Sequence, residues 1–332
     1  MTSQATPAAL LEIAGGYWKT CALHAGVVLD VFTPLADVPL TAGELAARLG
    51  CDARALGMLL RALAAMELLS RSGERYALTG EAREFLDARS PRYIGYAVRH
   101  HHRLMPVWTR LPEAIRSGRS LREHMGGDAD PGDREDFLLG MFNIAMGVAP
   151  RLARTLDLSG RRRLLDLGGG PGTYAVHFCL AHPDMTATVF DLAGSREFAA
   201  SVSERFGVAD RVEFVAGDYL RDPVPGGYDV AWLSQILHAE DPAGCRTILG
   251  KAAGALSPGG LLFVHEFMLD DDAAGPEFAA LFSLNMLLGT DHGQSYPEGR
   301  IREMMEGAGL KNVRRLDFTG PNGSRVLCGT AG

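Results

Sequence analysis

Residues 162–178 read RRLLDLGGGPGTYAVHF, four glycines and a proline between an apolar run and an amphipathic one. Glycines placed this way bring bare backbone close to a ligand, and several ligand classes use such a loop. A nucleoside triphosphate needs a lysine just after the last glycine to reach its phosphates, and no Lys follows Gly172. A dinucleotide asks for G-x-G-x-x-G opening a helix. Counted from Gly168 the third position is Thr173. Counted from Gly170 it is Ala175, which a permissive pattern accepts.

Asp166 bears on the choice that remains. It closes the apolar run two residues before the glycines. A carboxylate there repels a pyrophosphate at short range and suits a cation. S-adenosylmethionine (SAM) carries a sulfonium and an ammonium group and no phosphate, and its carboxylate can use a helix N-terminus. Two more acids, Asp191 ending ATVFDL and Asp218 following RVEFVAG, fall at or just past strand ends. Open parallel sheets bind ligands along that edge. The plainer alternative is that these carboxylates cap helices or turns.

The ordered set LLDLGGGPGTYA, VFDL, GDYL, QILHAEDP and SPGGLLFVHEF resembles the class I SAM-dependent methyltransferases. More narrowly, it is similar to the two-domain small-molecule O-methyltransferases of plant phenylpropanoid and bacterial polyketide pathways. FNIAM and SLNMLLG also match, so the resemblance spans nearly the whole chain. It implies SAM as cofactor and S-adenosyl-L-homocysteine (SAH) as product. Asp166, Gly168 and Gly170 would line the amino acid portion of SAM. Asp191 would take the ribose hydroxyls, with Leu192 beside the adenine. Asp218 would accept from the adenine amino group, Tyr219 would pack on the ring, and Ser234 would contact the cofactor.

The same resemblance implies methyl transfer to a hydroxyl of a small aromatic or polyketide-like metabolite. A phenol of pKa about 10 stays protonated at neutral pH, and a histidine near about 6.5 is a suitable base. His238 matches the family's catalytic histidine, and Glu266 matches the carboxylate that orients it. His265, next to Glu266, should point to the opposite face of its strand. The pattern departs from the family at Ala239 and Glu240, where an Asp often followed by Trp is usual. Ser295 stands roughly where a second supporting glutamate would be. Carbon methylation, a non-methylating SAM enzyme and a SAM-sensing DNA-binding regulator are the alternatives.

By family position, Met105, Trp108, Phe142, Met146, Asn285, Met286 and Leu288 are candidate walls of an acceptor pocket. Aromatic and thioether walls suit a flat acceptor, although such a stripe also serves as plain core. Three consecutive histidines, His100 to His102, point in different directions on a helix and cannot all bind one ion, so no metal is expected.

These residues need elements to hold them. From residue 162 onward strands alternate with helices: RRLLDL, ATVFDL, RVEFVAG, YDVAWLS and GLLFVHEFM, then NVRRLDFTG and GSRVLCGTA either side of a PN turn. The expectation is an α/β fold, a Rossmann-like, mostly parallel seven-stranded sheet ending in a C-terminal antiparallel hairpin. The clearest intervening helices are YAVHFCLAH and AGCRTILGKAAGALS. The N-terminal region reads as helix after helix: one over residues 8–35, one opened by a Thr41–Glu44 capping box and closed by Gly50, and one capped by Asp52. A hairpin in SRSGERYALT completes a winged-helix-like pattern. Acids and bases over residues 41–78 nearly cancel, and the second helix offers mostly Ala, Leu and Met, so DNA binding is disfavoured. In the resembled family this domain forms an intertwined homodimer.

The division expected is 1–100 for that dimerisation domain, 101–159 for a helical bridge and 160–332 for the SAM-binding domain. GGDADPGDRED, residues 126–136, is the strongest linker signal, and a helix is expected over residues 136–158. The net charge of -7 argues against a nucleic-acid partner. Five scattered cysteines without a C-x-x-C pair suit reduced thiols in the cytoplasm. Neither a signal peptide nor a membrane span is expected.

Overall fold

The computed structural model describes residues 7–121 and 131–332. The chain divides into two compact units, Met1–Leu104 with Glu135–Asn143, and Met105–Arg134 with Ile144–Gly332. Of the expected linker, residues 126–130 lie outside the described residues. From Pro131 it is already helix, because proline suits the first helical position, where no N–H is needed.

In the first unit α1 (Pro7–Gly15), α2 (Tyr17–Val28) and α3 (Phe32–Asp37) replace the single helix expected over residues 8–35. The first break falls at the Gly15-Gly16 pair, where backbone entropy opposes the helix. The second is a Schellman turn at Asp30, which is left-handed at φ 53. Its N–H donates to the Val27 carbonyl at 3.1 Å, and that of Val31 to Gly26 at 2.9 Å.

β1 (Leu40–Thr41) leads into α4 (Ala42–Leu49), with the Thr41–Glu44 capping box formed and Gly50 left-handed at φ 66. Asp52 caps α5 (Ala53–Ala65) by accepting from Ala55 N–H at 2.8 Å. The hairpin is β2 (Leu69–Ser72) and β3 (Arg75–Leu78), and β1 adds a third antiparallel strand in the order β1-β3-β2. Phe32, Leu35, Leu45, Leu60 and Leu63 fill this unit's core. α6 (Gly80–Phe85), α7 (Gly95–Trp108), α8 (Leu111–Ser117) and α9 (Pro131–Met146) follow. The helix expected over residues 136–158 is two: α10 (Ala149–Thr155) starts anew after Gly147, with Pro150 in its first turn.

The second unit runs β4 (Arg163–Leu167), α11 (Thr173–Ala181), β5 (Thr186–Asp191), α12 (Arg196–Arg205), β6 (Val212–Ala216) and β7 (Tyr228–Ser234). It continues with α13 (Pro242–Ala255), β8 (Leu256–Glu266), α14 (Glu277–Gly289), α15 (Glu298–Gly307), β9 (Leu310–Thr319) and β10 (Arg325–Ala331). The strand order is β6-β5-β4-β7-β8-β10-β9. β4 to β8 pair in parallel, and β10 is antiparallel to both β8 and β9, as expected.

Val230, Ala231, Trp232 and Leu233 are all buried, which is the mark of a strand covered on both faces. α11 is buried from Thr173 to Cys179, so the glycine loop rests on a helix locked into the core. From β4 the chain winds outward to β6, then returns to place β7 on β4's other side. Strand order therefore reverses at the carboxyl ends of β4 and β7, where open sheets leave a crevice.

Candidate active site

The glycine loop joins β4 to α11, and Gly168, Gly170 and Gly172 are left-handed at φ 72, 53 and 71. A Cβ on Gly168 would stand 2.4 Å from Ile236 Cδ1, so a side chain there would have to displace the isoleucine and adopt a strained φ. Asp166 is 1% exposed beneath the loop. Its Oδ2 accepts from Ala175 N–H at 3.1 Å, and a Cβ on Gly169 would lie 2.6 Å from its Cγ. Burial, reinforced by the charge of Asp191, pushes its carboxyl up to about 7. This acid therefore supports the loop from below.

Asp191, at the end of β5, holds the loop from the side. Its Oδ2 accepts from Gly170 N–H at 2.8 Å, and Oδ1 from Leu192 N–H and Ser195 Oγ, both at 2.8 Å. Burial raises its pKa. Leu192 beside it is exposed. Asp218, just past β6, accepts from Leu220 N–H at 2.8 Å. The Tyr219 hydroxyl donates to Glu240 Oε1 at 3.2 Å, and burial raises the pKa of both groups. Residues 166–175 contain no cationic side chain. Bare backbone with carboxylates at three strand ends fits a sulfonium and a ribose better than a polyphosphate.

His238 lies on the turn Leu237–Ala239 after β7. Glu266, the last residue of β8, is 2% exposed and pins ring and turn together. Its Oε2 meets His238 Nδ1 at 2.8 Å, while Oε1 accepts from Ile236 N–H at 2.7 Å and Leu237 N–H at 2.8 Å. The Leu237 carbonyl accepts from Cys245 Sγ at 3.1 Å, a thiol that burial pushes up to about 12. The Glu240 carbonyl accepts from the Tyr296 hydroxyl at 2.6 Å. Gly293 comes so close that a Cβ would be 2.4 Å from the His238 carbonyl oxygen.

His265 meets a different set of partners from Glu266, as strand alternation requires. Its Nδ1 lies 2.8 Å from Ser234 Oγ and 3.3 Å from the Tyr174 hydroxyl, and Nε2 lies 3.0 Å from Ser324 Oγ. Burial pulls it down to about 4, so it stays neutral. Ser234, singled out for the cofactor, is thus within bonding distance of this imidazole.

Among the candidate pocket walls, Trp108 Nε1 donates to Asn285 Oδ1 at 3.1 Å. Met146 Sδ lies 3.2 Å from His177 Nε2. Met286 and Leu288 are buried, Met105 is half-buried, and Phe142 is buried in the first unit. Three phenylalanines escaped the sequence reading. Phe282 stands edge-on to the His238 ring with centroids 4.8 Å apart, and it packs against Phe267 and Phe278. Their signal was the four-residue spacing of Phe278 and Phe282 on one helix face.

Of two further polar groups near His238, Gln235 was missed and Ser295 was marked only as standing where the family has a supporting glutamate. Gln235 is left-handed at φ 60 and both its amide atoms are buried without a partner among the described residues. Ser295 is 2% exposed with an equally unpartnered hydroxyl, and its N–H donates to Ser283 Oγ at 3.2 Å. Among the described residues no group of three side chains is arranged to hold a metal. His100 packs on Phe137, and His102 sits edge-on to His24.

Known proteins match this chain over nearly its whole length. The family model described as an O-methyltransferase domain covers residues 108–311, and that of an O-methyltransferase dimerisation domain covers residues 11–88. The chain is 36% identical to the 3-hydroxy-5-methyl-1-naphthoate 3-O-methyltransferase of Streptomyces sahachiroi, over 97% of this chain and 95% of that one. It is 37% identical to the tetracenomycin polyketide synthesis 8-O-methyl transferase TcmO of Streptomyces glaucescens, over 95% of each. The solved structure of PigF with SAH, a Serratia protein, superposes with a TM-score of 0.89 at 31% identity, over 98% of this chain and 100% of that one.

Proposed function

Because the chain belongs to the SAM-dependent O-methyltransferase family, we propose that it methylates a hydroxyl of a small aromatic, polyketide-like metabolite, with His238 as general base. The observation that carries this reading is the 2.8 Å contact of Glu266 Oε2 with His238 Nδ1. A carboxylate there keeps the proton on Nδ1, which leaves the Nε2 lone pair free to accept. When bound, SAM supplies an electrophilic methyl on its sulfonium. His238 Nε2 would accept the proton of the acceptor hydroxyl, so that its oxygen could take the methyl as the carbon–sulfur bond breaks and its electron pair leaves with SAH. Glu266 stabilises the resulting imidazolium, and its three short contacts keep the turn from shifting as charge develops.

Asp166, Gly168 and Gly170 would bind the amino acid end of SAM, with Asp191, Leu192, Asp218, Tyr219 and Ser234 along the nucleoside. Trp108, Asn285 and Met286, with Met105, Phe142, Met146 and Leu288, would wall the acceptor site, and the phenylalanines beside His238 favour a flat ring. The domain limits 1–100, 101–159 and 160–332 belong to the same proposal. A homodimer through the dimerisation domain is supported by Leu10, Leu11, Ile13 and Trp18, all at least 61% exposed on the first two helices. The near-balanced charge around α4 and α5 favours a protein partner over nucleic acid there, and five unpaired cysteines favour a reducing cytoplasm. Mass spectrometry of a panel of phenols and polyketides incubated with SAM tests the reading. A gain of one methyl on oxygen is expected, whereas methylation on carbon alone would replace it.

A further inference from the structure

Among the described residues around the His238 turn, two carry buried polar side-chain groups without a partner. Glu266, Cys245 and Tyr296 are all engaged in holding residues 236–240. Gln235 and Ser295 are not, although both adjoin the same turn, Gln235 along the chain and Ser295 through the loop that Gly293 packs on the His238 carbonyl. An unpaired buried polar group costs about 1–3 kcal/mol, and Gln235 carries a donor and an acceptor in that state.

The backbone compounds the cost. Gln235 has φ 60, a conformation that non-glycine side chains rarely take, yet its N–H is fixed to the His265 carbonyl at 2.9 Å. Such a residue persists where the surrounding structure over-determines it, and such strain clusters at binding sites. Its neighbour Ile236 supplies the side chain against Gly168, so the contact of this turn with the glycine loop is made by an aliphatic group. The amide is left for the other ligand.

We infer that Gln235 is a specificity-determining residue, whose amide pairs with a second oxygen substituent, hydroxyl or carbonyl, flanking the reactive hydroxyl of the acceptor. This rests on the O-methyltransferase reading and deepens it. The substrate class becomes aromatic rings with two neighbouring oxygens, one to be methylated and one to be read. Either oxygen type suits the amide, since Nε2 donates to a carbonyl and Oε1 accepts from a hydroxyl. Ser295 carries a further unpartnered hydroxyl on the loop whose Gly293 packs against this turn.

The test is calorimetric binding of 2,3-dihydroxynaphthalene and of 2-naphthol to the SAH-loaded protein, wild type against Gln235→Leu and Gln235→Asn. Wild type should prefer the diol, and Gln235→Leu should cut that preference by about tenfold, the worth of one buried hydrogen bond. Gln235→Asn, whose amide is one methylene short, should fall between. The melting temperature of unliganded Gln235→Leu should hold or rise, because an unpaired amide is removed. A purely structural glutamine would lower it. The proposal is overturned by an unchanged preference, by wild-type protein that binds no diol, or by a matching loss of SAH affinity, which would put the amide on the cofactor. Binding is read without turnover. If both naphthols bind and neither is methylated, the methyl-transfer reading fails by itself.

Discussion

Two stretches of the same sheet edge are finished differently. At the ends of β4, β5 and β6, Asp166, Asp191 and Asp218 each accept from backbone N–H groups of the loops they adjoin. That edge is internally satisfied, with the buried Thr173 hydroxyl as the exception among the described residues. At the ends of β7 and β8, Glu266 is equally well bonded, but the amide of Gln235 and the hydroxyl of Ser295 are left over. Under the proposed assignment, the groups along the cofactor also hold the backbone around them and are satisfied by the fold. Groups that read an acceptor must keep their bonds for a ligand, and the fold carries that cost.

The sharpest way to separate the two edges is His238→Ala. Turnover should fall by about 10³- to 10⁴-fold while SAH affinity by calorimetry stays within about twofold. Undiminished turnover would remove His238 as the base. Glu266→Gln is subtler. The amide oxygen can still accept from Ile236 and Leu237, but its NH₂ would donate to Nδ1 and put the ring proton on Nε2, the wrong atom for a base. Turnover should drop by about 10²-fold, with stability down by only about 1 kcal/mol. Full turnover with a collapsed melting curve would make Glu266 a structural residue alone.

Gly168→Ala probes the other edge. At φ 72 an alanine is strained, and with its Cβ only 2.4 Å from Ile236 Cδ1 either the isoleucine side chain or the loop must shift. A loss of about 1–2 kcal/mol in stability and about tenfold in SAH affinity is expected. The double variant with Ile236→Ala should recover part of both. Unaltered SAH binding in the single variant would detach this loop from the cofactor.

The smallest effect is on pH. His265 and His177 are held near about 4 by burial, so below the ordinary value of 6.5 the unfolded chain binds protons that the folded chain refuses. Their contribution is present above 6.5 and lost as pH falls toward 4. Asp166, raised to about 7 from 3.8, works oppositely, with stability lost as pH rises through that window. His24 and His101 are lowered in the same way, and Asp191 and Glu240 are raised like Asp166, so four histidines stand against three acids and the melting temperature should climb slightly from pH 5 to 6.5. His177→Gln should remove nearly all of the climb, because the opposing groups then balance, and a flat profile in the wild type would contradict both histidine assignments.

Much of this was legible in advance. The parallel sheet, its antiparallel hairpin, the Thr41–Glu44 capping box and the Asp52 cap follow from alternation and cap chemistry, which act within a few residues. Helix continuity was less legible. The breaks at Gly15-Gly16, Asp30 and Gly147 interrupt apolar runs whose spacing continues past them, because a Schellman turn at an aspartate leaves little trace in composition. The direction of Asp166 was not legible either. Spacing places it next to the glycines, whereas its contact with Ala175 N–H and its packing against Gly169 depend on how the loop folds over it.

The amino-acid sequence by itself determined the bare glycine loop and the acids at the strand ends, which depend on residue type and near-neighbour spacing. Only the family resemblance singled out His238 and Glu266. Only the tertiary structure decided that Glu266 binds ring and backbone at once, that Phe282 stands on the imidazole, and that Gln235 and Ser295 are left without partners. The reason is that satisfaction of a buried polar group is a property of everything around it. It is set by segments tens of residues away in the chain, and no local pattern encodes it.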